Sequence, residues 1–284
     1  MSGSKESPAS RPLRAARLVG LAEYVLRRND KSGDIFPTDE PFGSVDGPDP
    51  LRLAVVGEAN AVGLGVTHHE LGMAGHLARL LASRTERGVE WSAIGKPGLR
   101  IHDAWSLIGD NHETLANADV IVLMLGIGDT LALTSRSTWT AHMTDTLDLL
   151  TEVAPKTARI LVIRIPPMDN AGSVSKLARF AAGRQARLFN RITDGIVRDT
   201  RRCEVVLFPA SLASSLWVPE GRQSPYVGMY SAWAASAAAV YAGVPAAASD
   251  AVSPASVSPV PAAAPVVAPA PVAPDVPVPP VPTL

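Results

Sequence analysis

Short apolar runs alternate with amphipathic segments through most of this chain. Each of five runs between positions 51 and 209 is bounded by Gly, Pro or polar residues, and helical spacing of apolar residues follows each of them. Such runs are typical of strands that are buried on both faces. Because strands and helices alternate, the pattern predicts an α/β domain with a five-stranded parallel sheet between two helical layers. The predicted strands are residues 51–56, 90–95, 119–125, 159–165 and 204–209, and the predicted helices are residues 69–87, 103–116, 139–153, 177–201 and 229–241.

The segment that precedes this domain has a different character. Residues 1–12 are small and polar, and we expect them to be disordered. Residues 13–28 carry apolar side chains on one helical face and arginines elsewhere. They predict a helix that either packs on the domain or lies on a membrane surface. Residues 29–50 are rich in Gly, Pro and Asp and predict a long surface loop, so that helix and loop together fill residues 13–50.

The sequence after the predicted domain, which ends at residue 243, changes again. Residues 244–284 consist almost entirely of Ala, Pro, Val and Ser, with Asp250 and Asp275 as the charged residues. Closely spaced prolines disfavour both helix and interior strand. We therefore predict a disordered, extended tail that is dispensable for folding and that serves as a spacer or as a proline-rich ligand for a partner protein.

Composition narrows the functional classes. The net charge is −1 over 284 residues, which gives no electrostatic reason to expect nucleic acid as a partner. Cys203 is the single cysteine, so an intrachain disulfide and a cysteine-rich metal site are both excluded, and we interpret it as a buried hydrophobe. No run approaches ~20 apolar residues and no segment has the pattern of an export signal, so we expect a cytoplasmic protein without a membrane span.

Candidate chemistry lies where the predicted strands end. In an open parallel sheet, ligands bind at the carboxyl ends of the strands. The informative ends here are residues 57–65, 95–98 and 126–130. A Walker A loop fails because Pro97 follows Gly-Lys, and a dinucleotide fingerprint fails because His68 occupies its third glycine position. No cluster has metal-ligand spacing, so we expect neither a cofactor nor a metal.

The order and spacing of these segments resemble the SGNH, or GDSL, hydrolases, a family of esterases, lipases and acyltransferases. Gly57-Glu58-Ala59 stands where the family has Gly-Asp-Ser after its first strand, and Gly98 matches its oxyanion-hole glycine. Gly126 to Asp129 corresponds to its Gly-x-Asn-Asp, and Met229 to Ala234 to the start of its last helix. The resemblance covers residues 51–243 and implies a flavodoxin-like fold in three layers.

The departures from the family pattern concern the catalytic residues. Ala59, Gly128, Gly221 and Ser224 fall on the positions of the family's serine, asparagine, aspartate and histidine. None of the six histidines lies in the second half of the chain, where the family's base belongs. The resemblance therefore implies a protein without serine catalysis, which binds an acyl or glycan ligand or a partner. The candidate cleft residues are Gly57, Glu58, Asn60, Gly126 and Asp129, beside Gly98.

Other interpretations stay open at this point. Glu58 and Asp129 either form a carboxylate pair for acid–base chemistry or hold the loops in place, and we favour the second. We expect His68 and His69 to be surface-loop residues, and Trp91, Trp105 and Trp139 to be packing residues rather than sugar platforms. The alternative functions are a working hydrolase or acyltransferase with rearranged residues, and an interaction protein that acts through its tail.

Overall fold

The computed structural model describes residues 35–170, 176–209, 212 and 225–243. The chain divides into two units, residues 1–252 and 253–284, and every described residue belongs to the first. The predicted N-terminal helix over residues 13–28 and the predicted tail over residues 244–284 lie outside the described residues.

Six strands form one sheet within the described part of the chain. Strands β2 to β6 are parallel to one another, and their order is that of a flavodoxin-like sheet. The predicted α/β architecture is confirmed, but the prediction of a loop throughout residues 29–50 is wrong because β1 pairs antiparallel with the outer edge of β3. The strands are β1 (Phe42–Val45), β2 (Leu51–Gly57), β3 (Val89–Gly95), β4 (Val120–Met124), β5 (Arg159–Ile163) and β6 (Cys203–Val206), in the spatial order β1-β3-β2-β4-β5-β6.

The helices agree with the predicted pattern except in two places. The predicted helix over residues 103–116 is broken at Asn111, whose side-chain amide donates a hydrogen bond to the Leu107 carbonyl at 2.8 Å. A short helix that the pattern does not predict follows β4. The helices are α1 (Met73–Thr85), α2 (Ala104–Asp110), α3 (His112–Ala116), α4 (Ile127–Leu131), α5 (Arg136–Val153), α6 (Lys176–Asp199) and α7 (Pro225–Tyr241).

Two apolar cores lie on opposite faces of the sheet. Helices α1 and α7 cover one face, and helices α2, α3, α5 and α6 cover the other. On the second face Trp139 stacks on Phe189 with ring centroids 4.3 Å apart, and its indole N–H donates to the Thr193 hydroxyl at 3.2 Å. Burial of these aromatic rings fixes α5 and α6 to each other.

The structure tests the predictions that three tryptophans and the single cysteine are buried. Trp91 and Trp139 are buried, as predicted, but Trp105 is 64% exposed, so the prediction that it packs is wrong. The buried residues of the short helix α2 are Ala104 and Ile108, and Trp105 projects away from the core that they face. Cys203 is buried as predicted, and burial raises the pKa of its thiol to about 11. None of the described helices is long and apolar enough to cross a membrane.

Candidate functional site

The carboxyl ends of β2, β3 and β4 meet at one edge of the sheet. Gly57 lies opposite Gly95 on β3 and opposite Met124 on β4. A Cβ atom on Gly57 would come within 2.0 Å of the Met124 carbonyl oxygen, and one on Gly95 within 2.0 Å of the Gly57 carbonyl oxygen. Glycine at these two positions therefore lets the three strand ends approach closely, and the segments predicted to form the site are brought together.

Glu58 fastens the end of β2 to the start of α4. Its Oε1 accepts the Ile127 N–H at 2.6 Å, and its Oε2 accepts the Gly128 N–H at 2.8 Å. The side chain is buried, with 5% of the residue exposed. Burial raises the pKa of Glu58 to about 7, and the charge of Asp129 acts in the same direction, whereas the backbone N–H groups of Gly128 and Ile127 lower it. Both oxygens are thus engaged as hydrogen-bond acceptors inside the protein.

Asp129 fastens the loop after β3 to the same helix. Its carboxylate is fully buried and accepts the Ile101 N–H at 2.8 Å and the Thr134 hydroxyl at 2.7 Å. Arg100 lies beside it, with Nε 3.0 Å from Oδ1, and also donates to the Thr134 hydroxyl at 2.6 Å. The two carboxylates Glu58 and Asp129 therefore have separate sets of donors. This arrangement agrees with the favoured interpretation that both residues hold loops in place.

Some backbone N–H groups at the strand ends have no acceptor among the described residues, and two of them flank the candidate site. These two are the N–H groups of Ala59 and Gly98. Gly98 has φ +73°, a left-handed conformation that glycine adopts at little cost. Both residues are partly exposed at the edge of the sheet. Such N–H groups are the donors that a carbonyl or carboxylate oxygen of a ligand requires.

The loop after β2 is held from one side by α7. The buried Tyr230 hydroxyl donates to the Leu64 carbonyl at 2.8 Å, and Asn60 Oδ1 lies 3.4 Å from the same hydroxyl. Burial raises the pKa of Tyr230 well above its ordinary value, with a further contribution from Tyr226. Asn60 is itself buried, so its side chain belongs to the packing beneath the cleft.

A histidine–carboxylate pair holds the same loop from the other side. His69 is only 7% exposed, so the prediction that it is a surface residue is wrong. Asp39 covers it, accepting the His69 backbone N–H at 3.1 Å and lying 2.9 Å from Nδ1. Burial alone would raise the pKa of Asp39. The hydrogen bonds from His69 outweigh this effect, so the pKa of Asp39 lies below its ordinary value. Sequence reasoning missed this pair because the two residues are 30 positions apart. The neighbouring His68 is exposed, as predicted.

Two of the predicted family positions lie outside the described residues. These are Gly221 and Ser224, which align with the family's catalytic aspartate and histidine. Among the residues that the structure does describe, no group of three or more His, Cys, Asp or Glu side chains is arranged to hold a metal ion.

Solved structures that are similar in fold to this chain come from ester-cleaving and lipolytic proteins. A lipolytic protein of the G-D-S-L family from Desulfitobacterium hafniense has 13% identity and a TM-score of 0.48, covering 66% of this chain and 98% of its own. TesA has 16% identity and a TM-score of 0.48, covering 65% and 94%. A catalytic mutant of the acetylxylan esterase Axe2 from Geobacillus stearothermophilus has 14% identity and a TM-score of 0.47, covering 68% and 95%.

No protein-family profile matches the sequence, and no curated protein matches it. The functional conclusion therefore depends on the geometry of the site itself.

Proposed function

We propose that this protein is a non-catalytic counterpart of the SGNH hydrolases, which binds an acyl or glycan ligand at the carboxyl ends of β2, β3 and β4. The observation that carries the proposal is Ala59. It follows directly after the strand end, where a serine hydrolase places its nucleophile, and its methyl group has no nucleophilic atom.

The neighbouring carboxylates support the same conclusion. A residue that replaces the serine would need a free acid or base beside Ala59. Glu58 already accepts two backbone N–H groups, and Asp129 already accepts three donors. Recruiting either carboxylate would leave buried N–H groups unsatisfied, at a cost of roughly 1–3 kcal/mol each. Both carboxylates therefore serve the scaffold.

The backbone donors of Ala59 and Gly98 support a retained binding role. They can donate to the oxygen of a bound ester, amide or carboxylate. A neutral acyl or acetylated sugar ligand fits because the Arg100 charge is already matched by Asp129. The Ala59 methyl supplies an apolar contact at the point where a reacting serine would otherwise stand.

Three measurements on the full chain test this proposal. A fluorophosphonate probe should leave the protein unlabelled, and p-nitrophenyl acetate should be hydrolysed no faster than in buffer. In calorimetric titrations with the neutral acyl compound octanamide and with acetylated xylobiose, at least one ligand should bind. Ala59→Phe should abolish that binding by filling the cleft, whereas Ser83→Phe at an exposed position of α1 should preserve it. Labelling or turnover would overturn the non-catalytic role, and equal binding by both variants would overturn the ligand site.

The second candidate is a hydrolase or acyltransferase with rearranged residues, and the His69–Asp39 pair is the observation that favours it. A carboxylate on Nδ1 orients an imidazole and stabilises its protonated form, as a general base requires. His69 belongs to the same β2–α1 connection as Ala59. In this mechanism, Nε2 would take a proton from a water molecule that attacks the ester directly.

The second candidate predicts turnover that depends on this pair. His69→Gln and Asp39→Asn should each abolish hydrolysis of p-nitrophenyl acetate, and the exposed neighbour variant His68→Gln should keep the wild-type rate. If the wild-type protein shows no turnover, or if all three variants match it, the second candidate fails.

A further inference from the structure

An exposed row of one aromatic and four cationic side chains runs along α6. At 3.6 residues per turn, positions 180, 184, 187, 191 and 198 fall within about 60° of one another around the helix axis and span about 27 Å. They lie opposite the face that packs on the core. All five side chains are exposed, and they are Phe180, Arg184, Arg187, Arg191 and Arg198.

Most of this charge has no ion-pair partner among the described residues. Arg187 forms an ion pair with Asp169. Within the described residues, Arg184, Arg191 and Arg198 have no carboxylate within ion-pair distance. The row therefore presents free guanidinium groups to solvent, although the net charge of the whole chain is −1.

The two ends of the row differ in their surroundings. Near the C-terminal end of α6, the Arg202 side chain donates to the Thr151 carbonyl, which places the end of α5 there. That half of α5 carries the exposed acidic residues Asp145, Asp148 and Glu152. The N-terminal half of α6 has no such acidic neighbour on α5, and it carries Phe180 with 57% of its surface exposed.

The N-terminal part of the row, around Phe180 and Arg184, lies at the same edge of the sheet as the candidate site, and Arg191 continues the row toward the C-terminal end of α6. Gln185 Nε2 donates to the Thr134 carbonyl at 2.6 Å, so this part of α6 lies against the connection between β4 and α5. That connection begins at Gly126, next to the site. A flat surface that contacts this half of α6 would therefore lie beside the opening of the cleft.

We propose that Phe180, Arg184 and Arg191 form a docking patch for an anionic lipid bilayer. The charges are complementary, because guanidinium groups pair with lipid phosphates, and the aliphatic stems of the arginines pack at the headgroup level. An exposed phenylalanine finds an apolar layer just beneath those phosphates. An acidic polypeptide would match the arginines but would leave the Phe180 ring in water.

Sedimentation with vesicles tests the patch on the full chain. The vesicles are phosphatidylcholine with about a third phosphatidylglycerol, at low salt, because each basic residue near such a surface is worth about 1 kcal/mol, or roughly five-fold in partitioning. The double variant Arg184→Ser/Arg191→Ser should therefore partition roughly 25-fold less than the wild type. Phe180→Ser should also reduce partitioning, and pure phosphatidylcholine should bind little of any variant.

A matched control removes the same number of positive charges from a different part of the surface. Arg52→Ser/Arg84→Ser removes two exposed arginines from β2 and α1, away from the patch, and should partition as the wild type does. The proposal is overturned if the wild type does not bind, or if the α6 variants bind as tightly as the wild type, which would assign binding to another segment. Binding of poly-glutamate, measured for the same variants, tests an acidic protein as the partner instead. The proposal is also overturned if the substitutions weaken the binding of poly-glutamate but not the binding of the vesicles.

Discussion

Arg100 and Asp129 form an ion pair in which Nε lies 3.0 Å from Oδ1, the carboxylate is fully buried, and the arginine is 19% exposed. The pair joins the connection after β3 to helix α4, and Thr134 and the Ile101 N–H complete the set of donors around the carboxylate. The loop after β3 is therefore held to the start of α4 at the candidate site by charges that cancel internally.

Removing the carboxylate should destabilise the fold strongly. Asp129→Ala leaves a mostly buried guanidinium, an N–H and a hydroxyl without their acceptor, and we expect the free energy of unfolding to fall by about 3–5 kcal/mol. Urea denaturation measures this. Glu90→Ala is the control, because it breaks the exposed Arg52–Glu90 pair and should cost less than about 1 kcal/mol. Similar losses in the two variants would show that the buried pair does not stabilise the wall.

The stability of the protein should carry a pH signature from Glu58. Burial raises its pKa from 4.5 to about 7, so the folded state binds a proton more tightly than the unfolded state does. The contribution of this group is therefore fully present below pH 4.5 and is lost as the pH rises through 7, with an upper size of roughly 3 kcal/mol.

Glu58→Gln isolates that contribution, because glutamine stays neutral throughout. The stability of the variant relative to the wild type should rise between pH 5 and 8 (the range about the raised pKa). Urea denaturation at several pH values measures the difference. A constant difference across this range would mean that Glu58 is ionised throughout and that its burial does not perturb it.

The sequence predicted the parallel sheet because its strands are short, mainly apolar runs separated by helical patterns. It did not predict β1, whose residues FGSV alternate between exposed and half-buried positions and are only four in number. β1 exists through its pairing with β3, where the Trp91 indole covers Gly43 so closely that a Cβ there would lie 2.5 Å from the ring. That contact is non-local, and no periodicity in residues 42–45 reports it.

The candidate site was predictable in position and less so in its contacts. The glycines at the strand ends marked the edge of the sheet correctly, because a tight strand-to-helix turn requires them. The partners of Glu58 lie on α4, a helix of five residues that is too short to show a helical period. The Asp39–His69 pair joins two segments 30 positions apart, and only the folded chain brings them together.

Two glycines, one with no space for a side chain and one with ample space, offer a test of how firmly the loop after β2 is held. Gly65 has φ +82°, and a Cβ there would lie 2.1 Å from the Tyr226 ring, whereas a Cβ on Gly195, near the C-terminal end of α6, would have no neighbour within 4 Å. We expect Gly65→Ala to destabilise the protein by roughly 1–3 kcal/mol through strain. Gly195→Ala should stabilise it by about 1 kcal/mol, because alanine loses less backbone entropy in a helix. Thermal unfolding of both variants gives the two signs, and a neutral Gly65→Ala would show that the loop can move away from α7.

Restoring the nucleophile alone should not restore ester hydrolysis. Ala59→Ser places a hydroxyl after β2, but Glu58 and Asp129 are both committed to backbone and side-chain donors, so neither is available to take its proton. Members of a catalytic triad act as a unit, and a single member adds little without the others. We expect Ala59→Ser to remain unlabelled by a fluorophosphonate probe.

The combination with Gly128→Asn, Gly221→Asp and Ser224→His supplies the donor, the acid and the base together, and is the variant in which labelling should first be seen. Labelling of the single variant would instead reveal a base already at the cleft, and His69→Gln in the Ala59→Ser background would then show whether that base is His69.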